Sequence, residues 1–290
     1  MNKSNVMKEI ENQEFGGERP LYKQSDLCLR GVVIHVGESS VKEGRNIFAT
    51  DCRFEGKYVF WEDENVECKN CYFAPSARSS VWYSRDIKMQ DCLVDAPKMF
   101  RSARGIKLSN VRLSNAQETF WNCEQIEIDN CTIENADYLF MHSKSIKINN
   151  YRQDGNYSFQ YAKDVEIHNA IINSKDSFWD SDNCTLVDCK INGEYLGWYS
   201  RNLHLIRCHI EGEQPLCYCQ NLVLEDCTFA DDANLMLEYS SVEATIKGKV
   251  TSIKNPTSGH ISVDEVGEII IDSNQKQPAN CQIKYDRICK

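Results

Sequence analysis

The chain has 290 residues, of which 41% are hydrophobic and 26% are charged, a composition that supports a folded core and excludes a disordered chain. Its 43 acidic residues outnumber its 33 basic ones and give a formal net charge of −10 at pH 7, which argues against nucleic acid as a partner. No apolar run approaches the roughly 18 residues that a transmembrane helix needs, so no membrane partner is predicted.

The first residues of the chain are polar and lack the apolar stretch of a secretory signal, so a cytoplasmic location is predicted. The 15 cysteines would then be free thiols in a reducing compartment. We predict one structural domain in three parts: an N-terminal segment and cap over 1–44, a repeat region over 45–241, and C-terminal coils and cap over 242–290. Caps are expected because the open ends of a stack of strands leave backbone groups unpaired.

A repeat of 19 to 21 residues runs through the middle of the chain. One position of it, here called the anchor, holds cysteine in seven of ten repeats: Cys52, Cys71, Cys92, Val111, Cys131, Tyr151, Ala170, Cys189, Cys208 and Cys227. The positions five before, three before and two after the anchor are mostly apolar. Alternation at period two indicates two short strands per repeat, each with one buried face. The Asn or Asp before most anchors tolerates the left-handed backbone of a tight corner and can hydrogen-bond along the stack.

A third strand is predicted after these two, at 81–84, 120–123, 178–181 and 197–200 among others. A period of two places its Trp and Phe positions on opposite faces. We predict the Trp positions to point inward with the small Ser and Cys positions, and the Phe and Tyr positions outward, because Gly197 would fill a core poorly. Three strands per coil, stacked in parallel, define an all-β fold: a single-stranded right-handed parallel β-helix of about ten coils.

Several short words of the sequence resemble one bacterial family, domain of unknown function 3737. They include Gly17-Glu-Arg-Pro-Leu, Ala96-Pro-Lys-Met-Phe-Arg, Glu118-Thr-Phe-Trp-Asn-Cys and Ile253-Lys-Asn-Pro-Thr-Ser-Gly, in the family's order. The resemblance covers about residues 15 to 272, and departs where Ser39-Ser-Val replaces a Ser-Pro-Leu word. It implies a pectin-lyase-like β-helix and supplies no catalytic residues, because the family carries no assigned activity.

The cysteines are interpreted as core residues. Cys68 and Cys71 have the spacing of a zinc or redox motif, but both fall on inward positions, where cysteine behaves as a small hydrophobe. Cys189, Cys208 and Cys227 would share one inward column with parallel side-chain directions, a poor disulfide geometry. They should stay reduced and resist thiol reagents until the chain unfolds.

A second cysteine-rich segment holds Cys217 and Cys219, with His204 and His209 nearby in sequence. Strand parity turns both histidines outward, away from the inward cysteines. No metal site and no cofactor are therefore predicted.

The outward face of the third strand is the candidate site. Four tyrosines on it are predicted to bind ligand: Tyr83, Tyr161, Tyr199 and Tyr218. Four polar residues interrupt the tyrosines and are the candidate catalytic residues: Arg101, Asn122, His142 and Asp180. Charged groups among aromatic rings on a rigid stack can orient a polar ligand, and an ordinary solvated surface is the competing interpretation.

Enzyme chemistry on this face stays open. A glycosidase needs two carboxyls about 5–9.5 Å apart, whereas the carboxylates Glu62 and Asp180 are six coils apart in the predicted stack. A lyase needs a base and a charge neutraliser, which Arg101, Asn122 and His142 could supply.

The sequence alone assigns no function and supports two hypotheses. The first is a carbohydrate-binding or carbohydrate-processing β-helix, resembling a polysaccharide lyase or glycosidase if it is an enzyme. The alternative is a non-catalytic scaffold whose aromatic face docks a protein partner or a second copy of the chain in a homo-oligomer.

Overall fold

The computed structural model describes residues 7–288. This part of the chain consists of strands, turns and bends and contains no α-helix. Within it, no helix is long and apolar enough to cross a bilayer. The chain divides into two compact units, residues 1–145 and residues 146–290, and each is a parallel β-solenoid.

The first unit contains two stacks of strands and one separate pair of strands. Its strands are β1 (Lys8–Glu11), β2 (Glu14–Glu18), β3 (Ser25–Arg30), β4 (Val33–Glu38), β5 (Arg45–Thr50), β6 (Arg53–Phe54), β7 (Glu64–Lys69), β8 (Tyr72–Phe73), β9 (Val81–Trp82), β10 (Arg85–Gln90), β11 (Leu93–Val94), β12 (Phe100–Arg101), β13 (Arg104–Ser109), β14 (Arg112–Leu113) and β15 (Glu124–Ile133). One stack runs β1-β3-β5-β7-β10-β13-β15, and all its pairings are parallel. The other runs β2-β4-β6-β8-β11-β14-β15, also in parallel. The separate pair is β9 with β12.

The second unit contains ten strands within the described residues. They are β16 (Lys144–Asp154), which begins at the unit boundary, β17 (Lys163–Asn173), β18 (Asp182–Val187), β19 (Lys190–Asn192), β20 (Arg201–Ile206), β21 (His209–Glu211), β22 (Leu222–Phe229), β23 (Ser241–Lys254), β24 (Ser258–Ile270) and β25 (Gln282–Ile288). Parallel pairing runs β17-β18-β20-β22-β23-β24-β25 and, beside it, β17-β19-β21-β22.

The register of these pairings confirms the predicted apolar columns. Ile47, Val66, Ile87, Ile106 and Ile126 are successive partners in the first unit, and all are fully buried. A shift of one residue would turn each of these side chains to the solvent, so burial holds the register.

The solenoid is longer than the predicted ten coils. Strands β1–β4 pair in register with β5 and β6, and β23–β25 extend the second unit. Within residues 7–288 this makes seven coils in the first unit and eight in the second. The coil before Ile47 keeps buried leucines at positions 27 and 29 but has Val32 as its anchor and Gly31 at its corner, which conceals it in the sequence.

The predicted left-handed corners are present. The residue before the anchor has φ between 50° and 55° in all ten predicted coils, from Asp51 to Asp226. Asn110 Nδ2 donates to Asp91 Oδ1 at 2.7 Å, and Arg207 donates through two nitrogens to Asp188 at 2.7 and 2.8 Å. These bonds link successive corners and stabilise a conformation that most side chains avoid.

The third side of each coil differs from the predicted strand. Within residues 7–288, β9 and β12 are the only named strands that pair on this side. Other coils make consecutive turns there, with left-handed residues such as Phe159 (φ 57°) and Tyr161 (φ 58°). Hydrogen bonds still join the coils, as from Phe178 N to Ser158 O at 2.9 Å. A left-handed residue changes the direction of the next side chain, so the period of two fails on this side.

The predicted orientation of the Trp and Phe positions is therefore wrong. Phe100, Phe120 and Phe140 are fully buried, with centroid distances of 4.6 and 4.7 Å between successive stacked rings. Gly197 occupies the corresponding position in one coil of the second unit. A Cβ at this position, where φ is +70°, would lie 2.9 Å from the Leu203 side chain, because neighbouring leucines already fill the space.

The anchor cysteines lie in the core as predicted. All seven are buried, and the described residues form no disulfide. The Cys52 thiol donates to Thr50 O at 3.2 Å, a backbone contact that other anchor cysteines repeat. Burial raises the pKa of the Cys131 thiol to about 11, so this thiol is almost entirely protonated at neutral pH.

Candidate ligand-binding surfaces

The outer surface of the first unit carries a stack of three indole rings and one guanidinium, here called the indole ladder: Trp61, Trp82, Arg101 and Trp121. The Trp61 and Trp82 rings stack with their centroids 5.1 Å apart. The Arg101 guanidinium lies between two rings, 4.4 Å from the Trp82 centroid and 4.6 Å from the Trp121 centroid. Arg101 therefore takes the place of a ring in the ladder through two cation–π contacts.

The position of Arg101 in the coils differs from the predicted one. The repeat pattern of the sequence placed Arg101 in the same column as the tyrosines, but the structure pairs it with Trp82 and with Trp121. Its guanidinium also contacts the Glu118 carboxylate at 3.4 Å, and its side chain is only 22% exposed. A half-buried guanidinium between two indole rings is a packing group of the ladder. The register that pairs Arg101 with Trp82 places Ser102 beside Tyr83.

The other predicted residues of the first unit are exposed. Tyr83 is 51% exposed and contacts the Trp61 ring edge-on at 5.3 Å. Asn122, which follows Trp121 in the sequence, and His142 are also exposed. Glu118 was missed by sequence reasoning because it lies in a turn, yet its carboxylate contacts both Arg101 and the Lys98 ammonium, the latter at 2.9 Å.

The second unit carries an outer stack of phenol rings, here called the tyrosine ladder: Tyr199, Tyr218 and Tyr239. The Tyr199 and Tyr218 rings are stacked at 4.8 Å and 14°, and the Tyr218 and Tyr239 rings lie 5.7 Å apart. Tyr199 and Tyr218 belong to the predicted ligand-binding set, which did not include Tyr239. The words Leu216-Cys-Tyr-Cys and Leu237-Glu-Tyr-Ser repeat one pattern, a signal that could have found Tyr239.

The two remaining predicted residues of the second unit lie outside this ladder. Tyr161 is exposed. The Asp180 carboxylate accepts a hydrogen bond from Arg201 at 3.0 Å, an ion pair that neutralises it. Neither residue lines the pocket described next.

A pocket of about 420 Å³ opens beside the tyrosine ladder. We call it the tyrosine pocket, and its lining residues are Tyr199, Tyr218, Cys219, Gln220, Tyr239, Ser241, Thr257 and Gln277. All are uncharged side chains at neutral pH, and most offer a hydroxyl or amide group. Sequence reasoning could not find the last three, because the fold brings them in from later coils and from the β24–β25 connection.

The electrostatics of the pocket favour the neutral form of the Tyr218 phenol. Burial, followed by the nearby negative charge of Glu238, raises the pKa of Tyr218. The Glu238 carboxylate pairs with the Lys254 ammonium at 3.0 Å. The Tyr239 hydroxyl oxygen accepts a hydrogen bond from the Lys276 backbone N–H at 3.3 Å, which leaves its own proton available to donate.

The cysteine and histidine side chains do not converge on a metal-binding geometry within residues 7–288. Cys217 and Cys219 are buried, whereas His204 contacts the Glu225 carboxylate at 2.8 Å and His209 contacts the Thr228 hydroxyl at 2.8 Å on the outer surface. These contacts agree with the strand parity that turned both histidines outward.

The parallel stacks of strands and the inward apolar columns define a parallel β-solenoid protein. The chain belongs to the family described as "Protein of unknown function (DUF3737)", whose family model matches residues 8–284. Comparison with curated proteins found no match.

Solved structures similar to this chain include two epimerases and one resistance protein. The periplasmic alginate epimerase AlgG is 10% identical, covering 98% of this chain and 75% of its own, with a TM-score of 0.35. The A-module of mannuronan C-5 epimerase AlgE4 from Azotobacter vinelandii is 10% identical, covering 98% and 89%, with a TM-score of 0.30. QnrB1, a plasmid-mediated fluoroquinolone resistance protein, is 11% identical, covering 68% and 93%, with a TM-score of 0.35. At these scores the neighbours carry no argument about function.

Proposed function

We propose that this protein binds a carbohydrate, and that the tyrosine pocket of the second unit is the binding site. The observation that carries the proposal is the lining: three aromatic rings beside hydroxyl and amide groups, in a concavity of about 420 Å³. Binding sites for small polar molecules combine apolar walls with a few placed hydrogen-bonding groups. Sugars present both C–H surfaces and hydroxyls, which match rings and polar groups respectively.

The stacking of the rings decides how a sugar would be held. Tyr199 and Tyr218 cover one face of each other, and the Trp179 ring lies 5.2 Å from the Tyr199 ring. A ligand therefore meets mainly the edges and the hydroxyls of these two rings. Tyr199 is 43% exposed and offers the largest free aromatic area of the ladder. We therefore infer that hydrogen bonds to the phenol, Gln220 and Gln277 groups contribute more than flat stacking does.

The proposal is binding rather than catalysis. Glycoside hydrolysis needs a pair of carboxyls beside the scissile bond, and β-elimination needs a positioned base. The lining of the tyrosine pocket contains no carboxylate for hydrolysis, and it places no imidazole, lysine or arginine beside its tyrosines to stabilise a phenolate base. Arg101, the first of the predicted catalytic candidates, is packed between indole rings in the other unit.

A glycan array tests this proposal. The chain should bind one class of glycans on the array, and Tyr199→Ala should lose that binding. Tyr83→Ala is the matched control, because Tyr83 is also an exposed tyrosine, 51% against 43% for Tyr199, and lies beside the indole ladder of the first unit. Glycan binding that survives Tyr199→Ala and disappears with Tyr83→Ala would contradict the proposal, because it would place the binding site at the indole ladder of the first unit.

A second candidate function is protein interaction through the aromatic surfaces. Its supporting observation is that stacked rings already occupy one another's faces, which favours a broad contact with a partner surface over insertion of single sugars. Light scattering across a concentration series distinguishes it. A dimer that Tyr199→Ala dissociates, together with no glycan binding, would favour the interaction role.

A further inference from the structure

The geometry points to a neutral saccharide, and not an acidic uronate, as the ligand class of the tyrosine pocket. This inference rests on the proposed function and adds to it the selection against a negative charge. Its basis is the charge of the groups that line and surround the pocket.

The first step concerns the lining itself. Tyr199, Tyr218, Gln220, Ser241, Thr257 and Gln277 are uncharged, and no lysine or arginine lines the pocket. Proteins bind carboxylates by charge-assisted hydrogen bonds from arginine or lysine, which are about twice as strong as neutral ones. A uronate in this pocket would lose part of its hydration and gain no cationic partner.

The second step concerns the surroundings. The negative charge of Glu238 acts on Tyr218 strongly enough to raise its pKa, after burial the largest cause of that shift. The Lys254 ammonium is held by the Glu238 carboxylate at 3.0 Å and by the Asp272 carboxylate at 3.6 Å. Lys276 bonds to the Tyr239 hydroxyl through its backbone N–H, and its exposed side chain is not part of the pocket lining. The field at the pocket therefore disfavours an anion, in a chain whose net charge is −10.

The third step concerns the groups that would read the hydroxyls of a neutral sugar. The Gln220 and Gln277 amides each offer donors and an acceptor, and the phenols of Tyr199 and Tyr218 offer one of each. Gln277 comes from the connection between β24 and β25, which is fastened to the ladder by the bond from Lys276 N to the Tyr239 hydroxyl. A backbone tie one residue away fixes where the Gln277 amide can reach, so Gln277 is a specificity residue in this inference.

Isothermal titration with matched sugars tests the inference. The probes are oligosaccharides of glucose, galactose and mannose beside those of glucuronic, galacturonic and mannuronic acid, which differ within each pair only by the carboxylate. At least one neutral sugar should bind about tenfold or more tightly than its uronate, a difference of about 1.4 kcal/mol. Gln277→Lys should narrow or reverse that ratio, whereas Gln277→Ala should weaken the neutral sugar without favouring the uronate.

The outcomes separate the two claims. Uronates that bind as tightly as neutral sugars, with binding still lost in Tyr199→Ala, would overturn the neutral-ligand inference and leave the site intact. Neutral sugars whose affinity is the same in Tyr199→Ala and in the unaltered chain would overturn the site and, with it, the inference. Circular dichroism of each variant establishes that it is folded.

Discussion

Replacing Phe120 by alanine should destabilise the first unit far more than replacing its neighbour Trp121. Phe120 is fully buried between Phe100 and Phe140, with centroid distances of 4.6 and 4.7 Å. Truncating a buried phenylalanine costs about 3–5 kcal/mol, because apolar contacts are lost and a cavity remains. Phenylalanine and alanine both have a Cβ, so the left-handed backbone at position 120 (φ 58°) is equally strained in the original chain and in the variant.

Trp121 is the matched control, since it is adjacent in sequence and larger. Its ring contacts the Arg101 guanidinium at 4.6 Å, and its indole N–H donates to Tyr138 O on the outer surface. Losing one cation–π contact and one hydrogen bond costs about 1–2.5 kcal/mol. Urea unfolding followed by circular dichroism measures both variants. A larger loss for Trp121→Ala than for Phe120→Ala would refute the inward assignment of the Phe column.

Three further predictions follow from single groups. Burial raises the pKa of the Asp63 carboxyl well above its ordinary value, only partly offset by backbone N–H groups such as that of Gly44, so the folded state favours the protonated form. The resulting stability is present at acid pH and is lost as pH rises through the folded pKa. Asp63→Asn should therefore raise the melting temperature at pH 8 and change it little near pH 4, and an equal change at both would contradict this reasoning. Arg101→Ala should cost about 1–2 kcal/mol through its two cation–π contacts, while Arg101→Trp should keep the melting temperature by completing the ladder; an unaffected alanine variant would count against a packing role. Cys131 should react with a maleimide at pH 8 only at the rate at which the chain opens, as peptide mapping by mass spectrometry would show, and labelling within seconds would disprove its burial.

The repeat positions of the two strands could be predicted because burial there follows a strict period of two. Ile87 pairs with Val66 and Ile106 in the expected register, and Asp91 and Asn110 form the expected hydrogen-bonded corners. Each of these residues obeys a local rule that repeats in every coil, so a single sequence contains many copies of the same signal.

The third side could not be predicted by the same rule. Phe120 and Asn122 have positive φ values of 58° and 54°, which places Trp121 and Asn122 on the outside together. Sequence shows no mark of such a turn when the left-handed residues are phenylalanine and tyrosine, since these types rarely adopt it. The one-residue difference between the predicted and the observed position of Arg101 has the same origin. Pairing with Trp121 in the next coil, and not the spacing along the sequence, fixes the position of Arg101.

The candidate site was found in part for a related reason. Tyr199 and Tyr218 repeat along the coils and are visible as a column, whereas Gln277 arrives from an irregular connection with no repeat. Side chains that come together only through the path of a connection leave no periodic pattern.

A crystal structure of the chain grown with a glycan-array ligand would test the central claim most directly. The account predicts a sugar in the tyrosine pocket, in contact with the Tyr199 ring and within hydrogen-bond distance of the Gln220 or Gln277 amide. A sugar bound instead on the indole ladder of the first unit, or a tyrosine pocket filled by a second copy of the chain, would contradict it.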